Sequence, residues 1–424
     1  VIHVILQREE NITRILLTLK TVMKGCNKTY MTGSQRLKVL LINFIIIFNS
    51  MLVQTTNSLR VAVLGSGIAG STAARTLADR GVEVTVFEAG FGIGGRTSTR
   101  ITRDEPRYQF DHGAQYIGNP KTDIFRECLE SWKLHGCVKE WSGTFATADG
   151  LKVDVENEEK VRLVGFPRMN SICSSLLDHE NIRVILQTKA DASQNGKGWD
   201  LRHGKTKEDL GTFDWLIASD RNSGAHRRKD LSAANVQEFT IGIRGIQSVK
   251  SLTAMVVFEK PLNLNMDGIQ FTGKDAQYGS LGWAARDTSK PGRERNDGQE
   301  CWVLQSHPDA AKKLLKGKYK VDEIREMAKD VLVGDFLKSI PHLTGNNDKG
   351  ENVKVPSIVT STGHRWGAAF PIPSQEFIDM ESQLITSKQF VACGDYFGKL
   401  SGRIEGAYLS GRSAANEIIQ LNEE

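Results

Sequence analysis

Three glycines near residue 65 have the spacing of a loop that binds phosphate groups. Gly65, Gly67 and Gly70 lie in the segment GSGIAG, directly after the apolar run VAVL. In such a loop the first glycine permits a tight turn, the second lets the backbone approach a pyrophosphate, and the third allows close packing of the following helix on the strand. The spacing indicates dinucleotide binding, and a tight turn without a ligand is the alternative interpretation.

An acidic residue follows at the position that a dinucleotide site requires. Residues 71–80 carry apolar side chains on one helical face, and the next run, VEVTVFE, has the β-branched composition of a buried strand. Glu88 ends this strand, where its carboxylate can accept hydrogen bonds from both ribose hydroxyls. The order of strand, glycines, helix, strand and acid favours dinucleotide binding over the structural turn.

Two further motifs discriminate between a flavin and a nicotinamide dinucleotide. Gly94, Gly95 and Arg96 form a second glycine pair followed by a guanidinium, which suits a second phosphate contact. The segment FDHGAQYI, at residues 110–117, offers another glycine with an aromatic neighbour. An NAD-linked dehydrogenase has no need of these two motifs, so their presence favours FAD.

This series of motifs resembles the flavin-containing amine oxidase superfamily. The segment STGHRWGAAFP, at residues 361–371, is similar to the HRW signature of the renalase-like branch of that superfamily. The resemblance spans about residues 58–424 and implies FAD as the cofactor. Some members tether FAD through a cysteine near the C-terminus, but Cys393 does not lie in such a position. The resemblance therefore implies FAD that is held without a covalent bond.

The C-terminal part carries a second set of residues that the resemblance assigns to the same cofactor. Residues 389–393 have the pattern of a strand, and residues 402–419 have that of a long amphipathic helix with a Gly/Ala-rich start. In the superfamily, a pair such as Gly394 and Asp395 binds the ribityl and phosphate region. The N-terminus of the following helix points at the flavin edge, where the positive end of the helix dipole stabilises the reduced anion.

The resemblance implies roles for individual residues at this cofactor. Glu88 is expected at the adenosine ribose, Arg96 near the pyrophosphate, and Gly113 near the isoalloxazine ring. The backbone of Ala190, or of its neighbour Lys189, is expected to contact the adenine. The full set of expected cofactor-binding residues is Gly65, Ser66, Gly67, Ile68, Ala69, Gly70, Glu88, Ala89, Gly95, Arg96, Thr97, Gly113, Ala114, Ala190, Gly394, Asp395, Glu405, Gly406 and Ala407.

The substrate side of the site is less well defined, and the sequence assigns no catalytic side chain. Trp366, Tyr396 and Phe397 are candidates for an aromatic cage around an amine cation, and a packed core is the alternative interpretation of these rings. The cysteines after residue 57 are scattered, without a CxxC motif or a Cys/His cluster, which argues against a metal site.

The expected fold class is α/β with a second, α+β part. A Rossmann-like FAD-binding domain, with a parallel sheet and covering helices, is predicted from the discontinuous segments 58–120, 164–235 and 385–424. A substrate domain with a mixed or antiparallel sheet is predicted from residues 121–163 and 236–384.

Residues 1–57 are predicted to be a targeting segment outside the fold. Two basic residues precede the apolar run Val39–Phe48, which is the layout of a signal peptide or short signal anchor. The alternative is that residues 1–30, at least, are an upstream extension. Residues 31–57 thus suggest entry into the secretory or endomembrane system or an organelle. The rest of the chain is expected to be soluble, with membrane contact only through residues 39–53.

The charge distribution excludes one class of partner. The formal net charge of +5 resides in the first 57 residues, and the remaining residues have equal numbers of basic and acidic side chains. Because the residues after position 57 carry no net positive charge, nucleic-acid binding through phosphate contacts is not supported. The expected partners are a small-molecule substrate and dioxygen or another electron acceptor.

The expected function is that of a FAD-dependent oxidoreductase. Hydride would pass from an amine or a reduced nicotinamide-type substrate to flavin N5, and dioxygen would reoxidise the flavin and yield hydrogen peroxide. A desaturase or isomerase of an isoprenoid-type substrate is one alternative, and a non-catalytic flavin-binding module is another.

Overall fold

The computed structural model describes most of the chain after residue 57. The described residues are 58–149, 152–156, 160–196, 198–220, 234, 236–243, 246–272, 278–344, 354–372 and 374–423. The predicted targeting segment at residues 1–57 lies outside them. The described residues from Leu59 onward pack as one unit.

The described residues form strands and helices in an alternating α/β order at the start and in long antiparallel runs later. In chain order the elements are β1 (Arg60–Leu64), α1 (Ile68–Ala78), β2 (Glu83–Phe87), β3 (Thr99–Ile101), β4 (Gln109–Asp111), α2 (Asp123–Leu134), β5 (Val138–Glu140), β6 (Phe145–Asp149), β7 (Lys152–Val155), β8 (Leu163–Gly165), α3 (Ser171–Leu177), β9 (Ile182–Ile185), β10 (Ala190–Asn195), β11 (Gly198–His203), β12 (Asp209–Phe213), β13 (Trp215–Ala218), α4 (Gln237–Ile243), β14 (Ser248–Phe258), β15 (Gly268–Phe271), β16 (Leu281–Arg286), β17 (Glu300–Ser306), α5 (Pro308–Leu314), α6 (Val321–Leu343), β18 (Ile358–Pro371), β19 (Gln383–Ile385), β20 (Phe390–Ala392) and α7 (Ile404–Glu423).

A six-stranded, mostly parallel sheet takes its strands from three separate stretches of the chain. Its order is β19–β20–β13–β1–β2–β9, and within it only the edge pair β19–β20 is antiparallel. Val61 and Val63 of β1 are fully buried, as expected for a central parallel strand covered on both faces. The predicted Rossmann-like sheet built from discontinuous segments is confirmed.

Helices α1 and α7 pack closely against each other beside this sheet. A Cβ atom on Gly411 of α7 would lie only 2.1 Å from the carbonyl oxygen of Ala69 in α1, so the close approach requires glycine. Leu77 and Ile418, one from each helix, are fully buried in a cluster with β1. The first and the last helix of the described residues therefore form one layer on the parallel sheet.

Helix α1 begins three residues before its predicted start, because the end of the glycine-rich segment is already helical. The sequence predicts a helix over residues 71–80, whereas α1 begins at Ile68 and has Gly67 as its N-cap. The last three residues of the GSGIAG segment are therefore the first turn of the helix. The predicted helix at residues 402–419 is also present, as α7.

A seven-stranded mixed sheet forms the second large layer. Its order is β18–β14–β17–β16–β15–β6–β7, and only β15 and β6 pair in parallel. Helix α6 packs across β14 and β18. Phe336 of α6 contacts Trp302 of β17, and their ring centroids are 5.1 Å apart. The mixed sheet expected of the α+β part is confirmed, and the exact division of the chain into two domains stays a prediction.

A smaller antiparallel sheet, β10–β11–β12, follows β9. Trp199 of β11 donates its indole N–H to the carbonyl oxygen of Lys388 at 2.9 Å, which ties this sheet to the loop before β20.

None of the described helices is both long enough and apolar enough to cross a membrane.

Candidate functional site

A cavity of about 600 Å³ lies at the carboxyl ends of β1 and β2, which is where ligands bind in open parallel sheets. Its volume is within the usual range for small-molecule and cofactor sites. Most of the predicted cofactor-binding residues line it. They are Gly65, Ser66, Gly67, Ile68, Ala69, Glu88, Ala89, Gly95, Arg96, Thr97, Gly113, Ala114, Ala190, Asp395 and Ala407.

The N-terminus of α1 offers the cavity uncapped backbone N–H groups. The N-cap is Gly67, no side chain accepts from the first turn, and the first turn contains no acidic residue. The first N–H groups of a helix have no partner within the helix, and the positive end of the helix dipole lies there. An anionic group such as a phosphate is the ligand that such a terminus binds.

The second glycine pair lies against the first loop. The N–H group of Gly94 donates to the carbonyl oxygen of Ser66 at 3.0 Å. A Cβ atom on Gly95 would lie 3.4 Å from the Cα atom of Gly67, and the φ angles of Gly94 and Gly95 are 111° and 55°. Only glycine adopts such angles readily. The two glycine loops therefore form one continuous backbone surface at the cavity.

Glu88 is held at the end of β2 by the first glycine loop. Its carboxylate accepts hydrogen bonds from the backbone N–H group of Ser66 at 3.0 Å and from the Ser66 hydroxyl at 2.5 Å. The other oxygen accepts from the N–H group of Gly90 at 2.6 Å. These bonds fix the orientation of the carboxylate, which lines the cavity as predicted.

An ion pair joins the N-terminal and C-terminal motifs. The guanidinium of Arg96 donates to both carboxylate oxygens of Asp395, each at 2.6 Å, and to the carbonyl oxygen of Ala369 at 3.2 Å. Bidentate pairs of this type are strong and directional. The segments around Arg96 and Asp395, which are about 300 residues apart, therefore meet at the cavity, and β18 joins them there through Ala369.

The N-terminus of α7 reaches the same cavity. Gly402, Arg403 and Ile404 line it. Gly402 has a φ angle of 79°, and its N–H group donates to the carbonyl oxygen of Asp395 at 2.7 Å. A second helix terminus thus supplies the cavity with the positive end of a dipole.

Four predicted residues do not line the cavity, and each has a structural contact instead. A Cβ atom on Gly70 would lie 2.1 Å from the carbonyl oxygen of Gly65, which is the close helix–strand packing expected of the third glycine. The N–H group of Gly394 donates to the Ser410 hydroxyl at 2.8 Å. A Cβ atom on Gly406 would lie 2.3 Å from the carbonyl oxygen of Leu400.

Glu405 is the fourth of these residues, and its side chain is only 1% exposed. Its carboxylate accepts from the N–H groups of Lys121 and Thr122, at 2.8 and 2.7 Å, and from the Thr122 hydroxyl. Thr122 is the N-cap of α2, and carboxylates are stabilised at helix N-termini. Glu405 therefore holds the start of α2 and is not found at the cavity wall.

The opposite wall comes from the seven-stranded sheet, and the sequence indicated little of it. It consists of Ser251 of β14, Gln305 of β17 and Trp366 and its neighbours in β18. Only Trp366 was among the predicted candidates. Period-2 alternation on three strands that are distant in sequence brings these side chains to one face, and no local motif marks Ser251 or Gln305.

The segment 112–114 is clamped between the two walls. The carbonyl oxygen of His112 accepts from the indole N–H of Trp366 at 2.9 Å, and that of Gly113 accepts from the Gln305 amide at 2.6 Å. The N–H group of Ala114 donates to the carbonyl oxygen of Arg96 at 2.8 Å. A Cβ atom on Gly113 would lie 2.1 Å from that same oxygen, so glycine is required.

Two histidines pack around Trp366 behind the wall. The ring centroids of His112 and His364 lie 5.0 and 4.6 Å from that of Trp366. Burial, together with the nearby His364 and Arg100, lowers the pKa of His112 to about 3. Burial also lowers the pKa of His364 to about 4, with Arg100 and Arg325 acting in the same direction. Both rings are therefore neutral at neutral pH.

The predicted aromatic cage is only partly present. Trp366 lines the cavity, but Tyr396 and Phe397 are buried in a hydrophobic cluster with Phe377. The packed-core interpretation is therefore correct for these two rings, which the Gly394-Asp395 turn directs away from the cavity.

The described cysteines do not contribute to the cavity lining. Among the described residues that line it there is no cysteine, and Cys393 is fully buried, which raises the pKa of its thiol. Across the described ranges, no group of three His, Cys, Asp or Glu side chains has the arrangement of a metal site.

Comparison with known proteins gives sequence matches over short parts of the chain. A family model described as an NAD(P)-binding Rossmann-like domain matches residues 63–129. The L-amino-acid oxidase of Siganus canaliculatus is 37% identical over 101 residues, which are 23% of this chain and 18% of that protein. The flavin-containing amine oxidase B of Homo sapiens is 37% identical over 84 residues, which are 19% of this chain and 16% of that protein.

A third relative belongs to a different reaction class. The 4,4'-diapophytoene desaturase of Staphylococcus aureus is 32% identical over 77 residues, which are 18% of this chain and 15% of that protein. The chain thus spans less than a fifth of the length of the curated relatives it matches.

Solved structures match over most of the chain. A cyclohexylamine oxidase from Brevibacterium oxydans has a TM-score of 0.61 at 13% identity, over 87% of this chain and all of that chain. A putrescine oxidase variant has a TM-score of 0.58 at 11% identity, over 86% of this chain and all of that chain. At this identity the likeness shows the fold, and it confirms the predicted fold class.

Proposed function

We propose that this chain, which resembles the flavin-containing amine oxidase superfamily in its motifs and its fold, is a FAD-dependent oxidoreductase acting on a small molecule. One observation carries the proposal. The GSGIAG loop and the adjoining Gly94-Gly95-Arg96 segment meet the distant Gly394-Asp395 turn at one cavity, where Arg96 pairs with Asp395. Either motif alone could be a generic turn. Their convergence at one cavity, in contrast, fits a ligand as long as a dinucleotide.

The residues present fit a dinucleotide that carries two phosphates. The uncapped terminus of α1 and the facing glycine loops offer N–H groups and room for close approach. Arg96 adds a positive charge beside them, and Glu88 provides acceptors at the end of β2. Non-covalent binding is supported because no described residue of the cavity wall is a cysteine.

Bound FAD supplies a two-electron acceptor for a hydride leaving a substrate carbon, and dioxygen takes up the two electrons and two protons as hydrogen peroxide. The chain itself contributes orientation and electrostatics. The terminus of α7, at Gly402–Ile404, would stabilise negative charge that develops in the cavity. The Gln305 and Trp366 side chains hold segment 112–114 in place, so that a substrate meets a preorganised surface.

An amine or a reduced nicotinamide-type compound is the proposed substrate class. The wall from the seven-stranded sheet is largely apolar, with Trp366 and Phe370 beside the smaller Ala368 and Ala369. Ser251 and Gln305 are its polar side chains among the described residues. Such a wall fits a flat or aliphatic molecule with one or two polar groups. The similarity of residues 361–371 to a renalase-like signature supports the nicotinamide-type option.

Desaturation is a second candidate that a specific observation favours. One curated relative, 32% identical over 77 residues, is a desaturase, and the described sheet-side wall is mainly apolar. A polyene would need no polar contact at Ser251 or Gln305.

We further propose that residues 31–57 direct the chain into the secretory or endomembrane system or an organelle.

Anaerobic titration of the FAD-loaded protein separates these candidates. An amine or a dihydronicotinamide is expected to bleach the visible flavin absorbance, and admission of air is expected to restore it with one hydrogen peroxide per turnover. Bleaching by an isoprenoid polyene alone would favour desaturation. Retention of FAD without bleaching by any of these compounds would indicate a non-catalytic module.

A further inference from the structure

A group of four charged side chains is buried behind segment 112–114 and has no part in the chemistry described above. Asp111, Asp287, Lys290 and Arg293 are each at most 5% exposed. Two carry a positive and two a negative charge, so the group is balanced. Burial of isolated charges is costly, and a buried group of this kind is therefore held by its internal contacts.

The contacts within this quartet are close and reciprocal. Lys290 lies 3.1 Å from both Asp111 and Asp287. Arg293 lies 2.8 Å from Asp111 and 2.5 Å from Asp287. Burial raises the pKa of Asp111, but the charges of Lys290 and Arg293 outweigh it and lower the pKa to about 2. Each cation thus bridges both carboxylates.

The quartet connects two distant parts of the chain. Asp111 ends β4, next to the cavity segment, and also accepts from the Thr99 hydroxyl at 2.6 Å. Asp287, Lys290 and Arg293 lie in the stretch between β16 and β17 of the seven-stranded sheet. A buried ion network adds little net stability compared with apolar packing, but it does fix geometry.

Gln115 links the quartet to the cavity wall. Its amide oxygen lies 3.5 Å from the Lys290 ammonium. Its amide nitrogen donates to the carbonyl oxygens of Asp111 and Gly113, the second at 3.1 Å. Because an ammonium only donates and a carbonyl only accepts, the amide has one possible orientation. A hydrogen-bonded path therefore runs from Lys290 through Gln115 to Gly113 at the cavity.

We propose that Lys290 and Gln115 are positioning residues for the cofactor, which set segment 112–114 against the cavity through the buried quartet. The inference rests on the proposed function, since it assigns that segment to the FAD site. Lys290 and Gln115 do not line the cavity. They act through the backbone at Gly113 and Ala114. On the other side, the Gln305 amide donates to the Gly113 carbonyl oxygen, and the Ala114 N–H group donates to the Arg96 carbonyl oxygen.

The test compares variants of the whole chain by FAD titration, visible flavin spectrum and thermal unfolding of the apoprotein. Gln115→Met removes the link without changing charge. Lys290→Met combined with Asp287→Asn removes one charge of each sign, so that a balanced Asp111–Arg293 pair stays. Gln270→Met is the matched control, because the Gln270 amide donates to the Gly282 carbonyl oxygen at 2.8 Å away from the cavity.

We expect Gln115→Met and the charge-balanced double variant each to weaken FAD binding by at least about tenfold and to shift the flavin spectrum. Combining all three substitutions should add little, because they interrupt one path. Gln270→Met should leave FAD affinity unchanged even if it lowers the unfolding temperature. An unfolding temperature that falls while FAD affinity stays within about twofold would overturn the inference and leave the quartet a purely structural group.

The wild-type titration keeps the two proposals distinguishable. Wild-type protein that fails to bind FAD contradicts the proposed function and, with it, this inference. Wild-type protein that binds FAD, with variants that bind it equally well, contradicts the inference alone.

Discussion

The two walls of the cavity are built in different ways. The wall on the parallel sheet is mainly backbone: Gly65, Gly67 and Gly95, with the free N–H groups of α1. The wall on the seven-stranded sheet is made of side chains such as Gln305 and Trp366. Backbone groups suit a ligand part that is the same in every member of a superfamily, whereas side chains can vary with the substrate. The proposed function accordingly assigns the first wall to the cofactor and the second to the substrate.

The largest effect is expected from adding a side chain to a glycine that packs tightly against the backbone around the cavity. Gly113→Ala and Gly70→Ala would each bring a Cβ atom to 2.1 Å from a backbone oxygen that cannot move independently. We expect a loss of at least about 2 kcal/mol in the free energy of unfolding, as for severe overpacking, and the loss of FAD binding. Urea unfolding and FAD titration measure the two effects.

Gly92→Ala is the control for these substitutions. A Cβ atom on Gly92, which lies in the second glycine-rich loop, would meet no atom within 4 Å. Its substitution should change the free energy of unfolding by no more than about 0.5 kcal/mol. Equal effects at Gly92 and Gly113 would contradict the assignment of a tight backbone wall.

The next largest effect is expected at the ion pair that joins the two ends of the chain. Asp395→Asn and Arg96→Gln each remove the bidentate contact. Charge-assisted hydrogen bonds contribute about 1.5–3 kcal/mol, so FAD affinity should fall by roughly 10- to 100-fold. Fluorescence titration with FAD measures this change.

Arg75→Gln provides the comparison. Arg75 pairs with Asp79 on α1 at 2.7 Å, outside the cavity. Its substitution removes an ion pair of similar length but should leave FAD affinity unchanged. If Asp395→Asn binds FAD as tightly as Arg75→Gln does, the convergence of the two motifs has no role in cofactor binding.

A pH effect is expected from the histidine behind the side-chain wall. His112 is neutral in the folded protein down to its pKa of about 3, whereas in the unfolded chain a histidine binds a proton below about pH 6.5. The unfolded state therefore gains protons first, and stability falls as the pH is lowered from 6.5. The contribution is about 2 kcal/mol at pH 5. Asp111 has a pKa of about 2 in the folded protein, so its protonation lowers the free energy of unfolding only below about pH 4.

Unfolding free energies between pH 7.5 and 5 test this expectation. His112→Gln should flatten the decline by about 2 kcal/mol at pH 5. The same slope in His112→Gln and wild-type protein would show that His112 is charged or accessible in the folded state.

The smallest effect is expected at the indole of the side-chain wall. Trp366→Phe removes one hydrogen bond to the carbonyl oxygen of His112, which keeps the Thr253 hydroxyl as a donor at 3.3 Å. Substrate-dependent flavin reduction should change by roughly two- to tenfold, because the indole faces the substrate. FAD affinity should stay unchanged, because the Thr253 hydroxyl still holds segment 112–114.

Trp199→Phe is the matched control for Trp366→Phe. It also removes an indole hydrogen bond to a carbonyl oxygen, at 2.9 Å, but in the sheet β10–β11–β12. It should lower stability without altering flavin reduction. A loss of FAD affinity in Trp366→Phe instead would contradict the division into a cofactor wall and a substrate wall.

The difference between the walls also explains what could be predicted from the sequence. A glycine loop between a strand and a helix is a local feature, because the positive φ angle of Gly65 and the close approach of Gly70 act within a few residues. The fold class and most of the cofactor residues followed from such local features. The position of Glu405 did not, because a distant helix, α2, determines where its carboxylate lies.

The side-chain wall could not be predicted because its contacts are formed only after the sheet is assembled. Gln305 has no neighbouring motif, and its role arises from the carbonyl oxygen of Gly113, which is 192 residues away. The buried quartet is similar: Lys290 and Asp111 are 179 residues apart. A polar residue in an apolar strand is the one signal that marked Gln305, and it indicates burial or function without distinguishing them.

The visible absorption spectrum of the purified chain, recorded after incubation with FAD and removal of unbound cofactor, tests the central claim most directly. Convergence of the two distant motifs on one site predicts one equivalent of FAD per chain, released on denaturation because no covalent bond holds it. A colourless protein after the same treatment would contradict a flavin site at this cavity.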